Sequence, residues 1–225
     1  MRRMGTLYLV RHGQASLGAA DYDQLSALGQ RQSQLLGAYF ARTGTAFEAV
    51  HTGTLRRHLQ TWQGIAEGMQ TELPAQHWDG LNEYDSDALI QALQPDTLPQ
   101  PDSPEGYRQH FRLLREGLGA WMQGRSAPAG MPSYHDFVSG IRAVLDHVRS
   151  AHSGNVLLVS SGGVISSAIG DLLDTPPAAR IELNMRLRNS AVSEFVFTPK
   201  RHALQSFNTL PHLDPASQAA LITYA

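Results

Sequence analysis

The 225-residue chain contains no cysteine. That excludes disulfides, thiolate nucleophiles and cysteine-held zinc or iron–sulfur centres, and it fits a cytoplasmic protein. Long apolar runs are missing too: nothing approaches the ~20 residues that span a bilayer. The basic start Met1-Arg2-Arg3-Met4 leads into an apolar stretch too short for a signal peptide. No membrane association is expected. Neither sign of charge is in excess. At a formal net charge of -2, no general field draws the chain to nucleic acid or anionic lipid, so any cationic site must be local. A Gly-x-x-x-x-Gly-Lys nucleotide loop and a His-Glu-x-x-His metal motif are both absent. His147 and His152 stand five apart on one expected helix, a spacing that does not share a face. Neither a metal nor a cofactor is expected, and no internal repeat is present.

What is there reads as alternating strands and helices. Leu7-Tyr8-Leu9-Val10 is a buried strand that ends at Arg11-His12-Gly13. Ser26 is placed to cap a helix running to about Arg42, with Leu28, Leu35, Leu36, Tyr39 and Phe40 on its apolar face. Phe47 to His51 reads as a second strand. Thr52-Gly53-Thr54 then opens a helix to about Glu67, lined by Leu55, Leu59, Trp62 and Ile65. Strand–helix repetition of this kind argues for a parallel sheet with right-handed crossovers.

The pattern changes over about 85–132. Six prolines there (Pro95, Pro99, Pro101, Pro104, Pro128, Pro132) bracket one amphipathic helix holding Tyr107, Phe111, Leu114, Leu118, Trp121 and Met122. This is expected to be an insertion over one sheet edge, a natural lid or substrate-selecting wall. Regularity returns with a helix from about Ser133 to His152 and the apolar run Val156–Val159, a central strand. Ser160-Ser161-Gly162-Gly163 turns into another helix, which Pro176-Pro177 ends. A helical stretch follows near Ala178–Asn184, and 191–198 with 202–209 reads as a closing antiparallel hairpin.

Parallel strands gather their carboxyl ends on one side, where open α/β sheets bind ligands. Three such ends carry chemistry: Arg11-His12; Arg57 at the start of a helix; and Ser160–Gly163 at another strand-to-helix turn. Helix N-termini leave free N–H donors, and guanidinium groups beside them favour tetrahedral oxyanions such as phosphate.

With these residues the sequence resembles the histidine phosphatase superfamily, which includes the phosphoglycerate mutases. The matching blocks are Leu7 to Gly13, Leu25 to Gln30, Leu55 to Thr61 with its Gln60-Thr61 end, Leu81-Asn82-Glu83, and Val156 to Val164. The resemblance implies a three-layer α/β/α sandwich with a mostly parallel central sheet and a helical insertion, the whole of 1–225 forming one domain. It also implies roles. His12 attacks phosphorus and becomes a phosphohistidine, Arg11 and Arg57 hold the phosphoryl oxygens, and Glu83 protonates the leaving oxygen. Ser16, Ser161 and the Gly162 amide complete the phosphate site. A small phosphorylated substrate, or inorganic phosphate, is the expected ligand.

Two departures stand out. The family carries a second histidine between Ser160 and Gly162, and here that position is Ser161. A hydroxyl can donate a hydrogen bond but carries no charge. Many members carry a phosphate-binding asparagine where this chain has Gly18, a loss that Ser16 could partly cover. His51 and His58 are the candidates to replace the missing imidazole. Two functions follow: a metal-independent phosphatase with altered or reduced activity, or a phosphate-binding protein that has lost useful turnover. A mutase is disfavoured by the missing imidazole. A serine hydrolase built on Ser161 lacks the Gly-x-Ser-x-Gly frame. The hairpin edge and the insertion each offer a surface for a homodimer.

Overall fold

The computed structural model describes residues 4–16, 23–94, 103–214 and 216–224. Gly18, Asp21, Tyr22, Pro95, Pro99 and Pro101 lie outside the described residues. Its centre is a six-stranded sheet in the order β3-β2-β4-β1-β5-β6. The strands are β1 (Gly5–Arg11), β2 (Ala49–Thr52), β3 (Ala75–His77), β4 (Asn155–Ser160), β5 (Val192–Thr198) and β6 (Arg201–Thr209). β1, β2, β3 and β4 run parallel, and β5 and β6 complete the sheet antiparallel. The expected central strand is β4, held between β2 and β1.

The period-2 alternation of the strands divides the core. Leu7, Leu9, Val156, Leu158, Phe195 and Phe197 face one side and pack against α5 (Tyr134–Ala151) and α6 (Gly162–Leu172). Val10, Val50, Leu157, Val159 and Val192 face the other, against α1 (Ala27–Arg42) and α2 (Arg56–Met69). Burying β4 on both faces explains its unbroken apolar run. Ser26 caps α1 as its sequence position implies, its side chain accepting the Gly29 N–H.

Among the described residues, the segment expected as an insertion holds two helices, not one: α3 (Ser86–Gln91) and α4 (Pro104–Met122). Six residues of α3 are too few to show helical periodicity, so no pattern announced it. Leu89, Leu113, Leu114, Leu118 and Trp121 form a third cluster, with Ile181 of α7 (Pro177–Arg186). Tyr107 and Phe111, read as part of the α4 apolar face, are exposed at 39% and 38%.

Three local expectations are corrected. The second strand starts at Ala49, so Phe47 lies before it, where it packs edge-on against Tyr8 and Phe40. β3 was not expected, because Ala75-Gln76-His77 lacks both length and apolar character; a parallel edge position supplies its pairing. The helix after β2 begins at Arg56, and its buried face holds Arg57, His58, Thr61, Trp62 and Ile65. Leu59, expected inside, is 38% exposed, while His58 takes the interior.

Candidate active site

The β1–β4 register sets Arg11 opposite Ser160, so the residues that follow each strand emerge side by side. The His12 N–H donates to the Ser160 carbonyl (2.9 Å), which fixes His12 beside Ser161. Thr52 of β2 pairs with Val159, bringing the turn into α2 to the same edge. Three separate sequence blocks thus meet because three parallel strands end together.

His12 is almost wholly buried. Its Nδ1 lies 2.7 Å from the Gly13 carbonyl, which can only accept, so Nδ1 carries the proton and Nε2 keeps its lone pair. Burial lowers its pKa well below the ordinary histidine value, and the Arg11 and Arg57 guanidinium groups and His58 lower it further. The ring is neutral at neutral pH and nucleophilic at Nε2.

Arg11 and Arg57 are both buried. Arg11 Nη1 donates to the Leu187 carbonyl. Arg57 Nη1 donates to Asp23 Oδ1 at 2.7 Å, and the same carboxylate accepts the Arg56 N–H at 2.8 Å. Asp23 therefore orients the guanidinium from a loop whose sequence showed only polarity. Thr61 couples α2 to the first strand end: its hydroxyl donates to the Arg57 carbonyl (2.7 Å) and accepts the Gly13 N–H (3.1 Å).

Glu83 sits on a loop pinned at three successive residues. The Ser160 hydroxyl donates to the Leu81 carbonyl (2.6 Å), and Asn82 Oδ1 accepts the Thr54 N–H (2.7 Å). Glu83 Oε2 itself accepts the Gly163 N–H (2.9 Å). Desolvation raises the Glu83 pKa; the Gly163 amide and the two arginines oppose that rise without cancelling it. Such a carboxyl can hold a proton where an ordinary glutamate would not.

Ser161 is the N-cap residue of α6, completely buried, and its side chain makes no capping bond. Its Oγ instead lies 2.7 Å from His58 Nε2. The His58 ring centroid is 5.7 Å from that of His12. Gly162 follows at the start of α6; a Cβ there would come within 3.7 Å of Arg11 Nε. Of the residues singled out from the sequence, Arg11, His12, Arg57, Glu83, Ser161 and Gly162 come together. Ser16 is half-buried and held through its N–H on the Gln24 carbonyl (2.8 Å), next to the stretch 17–22 that lies outside the described residues.

Sequence reasoning missed the support from 187–190. The Ser190 N–H donates to the His12 carbonyl (3.2 Å), and Asn189 Nδ2 reaches the same oxygen (3.4 Å). Ser190 takes a left-handed conformation (φ 56) to do so. This stretch touches the site only because β5 lies beside β1, a pairing no local pattern encodes.

His51 is remote from this chemistry. Its Nδ1 accepts the Trp78 indole N–H at 3.0 Å, and its ring packs against His147 and His152 (centroids 5.4 Å from each). Candidate ligand nitrogens of the three histidines lie within 4.8 Å of one another. His147 and His152 meet despite their spacing because His152 caps α5 in extended conformation and turns back. The bond from Trp78 leaves the proton of neutral His51 on Nε2, so its ring presents no lone pair to the cluster. A metal ion would have to displace that proton or the indole. The trio reads as a packed group of imidazoles, and His51 does not serve the pocket.

The family model described as histidine phosphatase superfamily (branch 1) matches residues 7–210. The chain is 25% identical over 217 residues to a Caenorhabditis briggsae protein named serine/threonine-protein phosphatase Pgam5, mitochondrial; the match covers 93% of this chain and 64% of that one. Among solved structures it is similar to Bacillus stearothermophilus YhfR (TM-score 0.70, 18% identity, 93% and 100% of the two chains covered). It is also similar to Entamoeba histolytica phosphoserine phosphatase in complex with 3-phosphoglyceric acid (TM-score 0.65, 20% identity, 93% and 100% covered). At these identities the structural likeness carries the fold. No described helix is long and apolar enough to cross a membrane.

Proposed function

Because the chain belongs to the histidine phosphatase superfamily, we propose that it is a phosphatase that hydrolyses a phosphomonoester through a phosphohistidine on His12. The observation that carries this reading is the 2.7 Å approach of the Gly13 carbonyl to Nδ1 of His12. Its Nδ1–H is committed to the Gly13 carbonyl, and Arg11 and Arg57 disfavour the imidazolium, so Nε2 is a free nucleophile within a cationic site.

The reaction runs in two halves. His12 Nε2 forms a bond to phosphorus as the P–O bond to the leaving group breaks, and protonated Glu83 gives its proton to the departing oxygen. Glu83, now a carboxylate, then takes a proton from water as the water oxygen attacks phosphorus and the P–N bond breaks. Inorganic phosphate leaves and Glu83 is protonated again. Arg11, Arg57, the Ser161 hydroxyl and the α6 amides supply donors to the phosphoryl oxygens, whose charge changes most in the transition state. No metal is needed for any of these steps.

The substrate class is a small phosphomonoester, in keeping with the phosphoserine phosphatase among its structural neighbours. Tyr84 follows Glu83 directly, and its ring packs against Trp121 of the insertion (centroids 5.9 Å), which ties the insertion to the Glu83 loop. The test is direct. The protein is incubated with p-nitrophenyl phosphate and with phosphoserine, then quenched in alkali. An acid-labile, alkali-stable phosphoryl group on His12, absent from His12→Asn, is expected, with turnover in that variant reduced by on the order of 10⁴ or more. Hydrolysis that survives in His12→Asn would exclude this mechanism.

The close Ser161–His58 contact also invites a serine-nucleophile reading. The pKa of His58 is lowered to about 3 by burial and by Arg57, which makes it a poor base. Its Nδ1 has no hydrogen-bond partner, so the carboxylate that orients a base in such dyads is missing as well. The phosphohistidine reading stands.

A further inference from the structure

Within that phosphatase reading, we infer that His58 is a positioning residue for phosphoryl binding. Its Nε2–H donates to Ser161 Oγ and so commits the serine O–H to an oxygen of the bound phosphoryl group. The pair would then do from two elements what a single donor at the head of α6 could do alone.

His58 stands near the head of α2. It directly follows Arg57 in the first turn of α2, is fully buried, and lies on the face of the helix turned to the pocket. The periodicity of α2 would have put Leu59 there. A histidine taken wholly out of water needs a partner, and the structure gives it one: Ser161 Oγ at 2.7 Å. Gly53 makes room for the ring, since a Cβ at that position would stand 2.3 Å from His58 Nδ1.

Ser161 has the complementary oddity. A serine at an N-cap ordinarily turns its oxygen onto the helix amides, yet this one makes no such bond. The first-turn amides of α6 are thereby left for another acceptor, apart from the Gly163 N–H, which Glu83 takes. The hydroxyl is held by His58 beside His12, whose ring centroid is 5.7 Å from the His58 ring.

Two proton arrangements are conceivable for the pair. If the serine donated to Nε2, the His58 proton would sit on Nδ1, a buried N–H with no acceptor. If Nε2–H donates to the serine, Nδ1 is left as a buried lone pair instead. Orphaned buried donors are the rarer of the two. In that second arrangement the serine oxygen is already accepting, and its own hydrogen is free to point at an incoming anion. An imidazole that merely filled space would not need Ser161, and Ser161 alone would be free to rotate onto the α6 amides.

The experiment compares His58→Ala, His58→Leu, His58→Gln, Ser161→Ala and the double variant His58→Ala/Ser161→Ala in the full chain. Three quantities are read: kcat and KM for p-nitrophenyl phosphate, inhibition by orthovanadate, and thermal midpoint. His58→Ala, His58→Leu and Ser161→Ala are expected to lose about 10²-fold in kcat, with KM changed less, and with matching loss of orthovanadate affinity. The double variant is expected to lose no more than either single one, because both remove the same donor. His58→Gln, whose amide N–H replaces Nε2–H, is expected to stay within about tenfold of the wild type. Leucine fills the volume without the donor, so recovery by glutamine and not by leucine separates positioning from packing. Should His58→Ala fail to fold, Ser161→Ala and His58→Gln still decide the matter. Near-wild-type kcat and orthovanadate inhibition in Ser161→Ala, or equal activity in the leucine and glutamine variants, would overturn the inference and leave the phosphatase reading intact. A wild-type protein that neither hydrolyses p-nitrophenyl phosphate nor binds orthovanadate would remove both.

Discussion

Glu83 Oε2 accepts the backbone N–H of Gly163 at 2.9 Å, which joins the loop after β3 to the first turn of α6. That approach is open only to glycine: a Cβ at 163 would stand 2.2 Å from Glu83 Oε1 and 2.2 Å from the Tyr84 ring. Gly163→Ala is therefore expected to push the carboxylate out of place and to lower kcat by about 10²-fold or more. Steady-state kinetics with circular dichroism would show a folded protein with this defect. Unchanged kcat would mean that the loop accommodates the methyl and that Glu83 needs no such tie.

If Glu83 protonates the leaving oxygen, the penalty for removing it depends on how much that oxygen needs a proton. Glu83→Gln is expected to lose about 10²–10⁴-fold with an alkyl phosphate such as phosphoserine. The loss should be much smaller with p-nitrophenyl phosphate, whose leaving group departs readily as an anion. Equal losses on both substrates would assign Glu83 to binding instead.

Asp23 holds Arg57 by a 2.7 Å ion pair and the adjoining Arg56 N–H by its second oxygen. Its side chain is 36% exposed, so the pair is worth no more than about 1 kcal/mol. Asp23→Asn should raise KM and the phosphate inhibition constant about fivefold while kcat changes less. Titration with inorganic phosphate checks this. A larger fall in kcat than in affinity would place Asp23 nearer the chemistry.

Several buried histidines make the fold acid-sensitive. His58 is lowered to about 3, chiefly by burial and then by Arg57; burial lowers His51 and His212 to about 4. Each has the ordinary histidine value of 6.5 when unfolded, so between these values the unfolded chain binds more protons than the native one. Stability is then fully present above about pH 6.5 and falls as the pH drops towards the folded values. At pH 5 the contribution lost from His58 is up to about 2 kcal/mol. Urea unfolding at pH 7.5 and 5.0 should show the wild type weakening at the lower pH, and His58→Gln weakening less. Equal slopes would mean that His58 does not bear this charge penalty.

Much of this was legible in the residues. The strand Leu7–Val10 running into Arg11-His12-Gly13, the buried run of β4 and the capped start of α1 announce themselves through local periodicity and turn chemistry, which the tertiary structure leaves in place. The resemblance carried by those blocks named Arg57, Glu83 and Ser161 as partners of His12. Neighbours joined by no local pattern were not legible. β3 and α3 are too short to carry a period, and Asp23 and the 187–190 stretch follow no pattern that sets them apart until strand order places them beside the arginines.

His58 shows the division most clearly. The chain by itself settles which side chains exist and, for segments long enough to carry a period, which become strands and helices, because those depend on near neighbours. It placed a histidine after Arg57 and a serine before Gly162, 103 positions apart, and read Leu59 as the interior residue. Only the parallel pairing of β2, β4 and β1 decided that α2 turns His58 inward against Ser161, because the contact between helices starting from different strands is fixed by the register of the sheet beneath them.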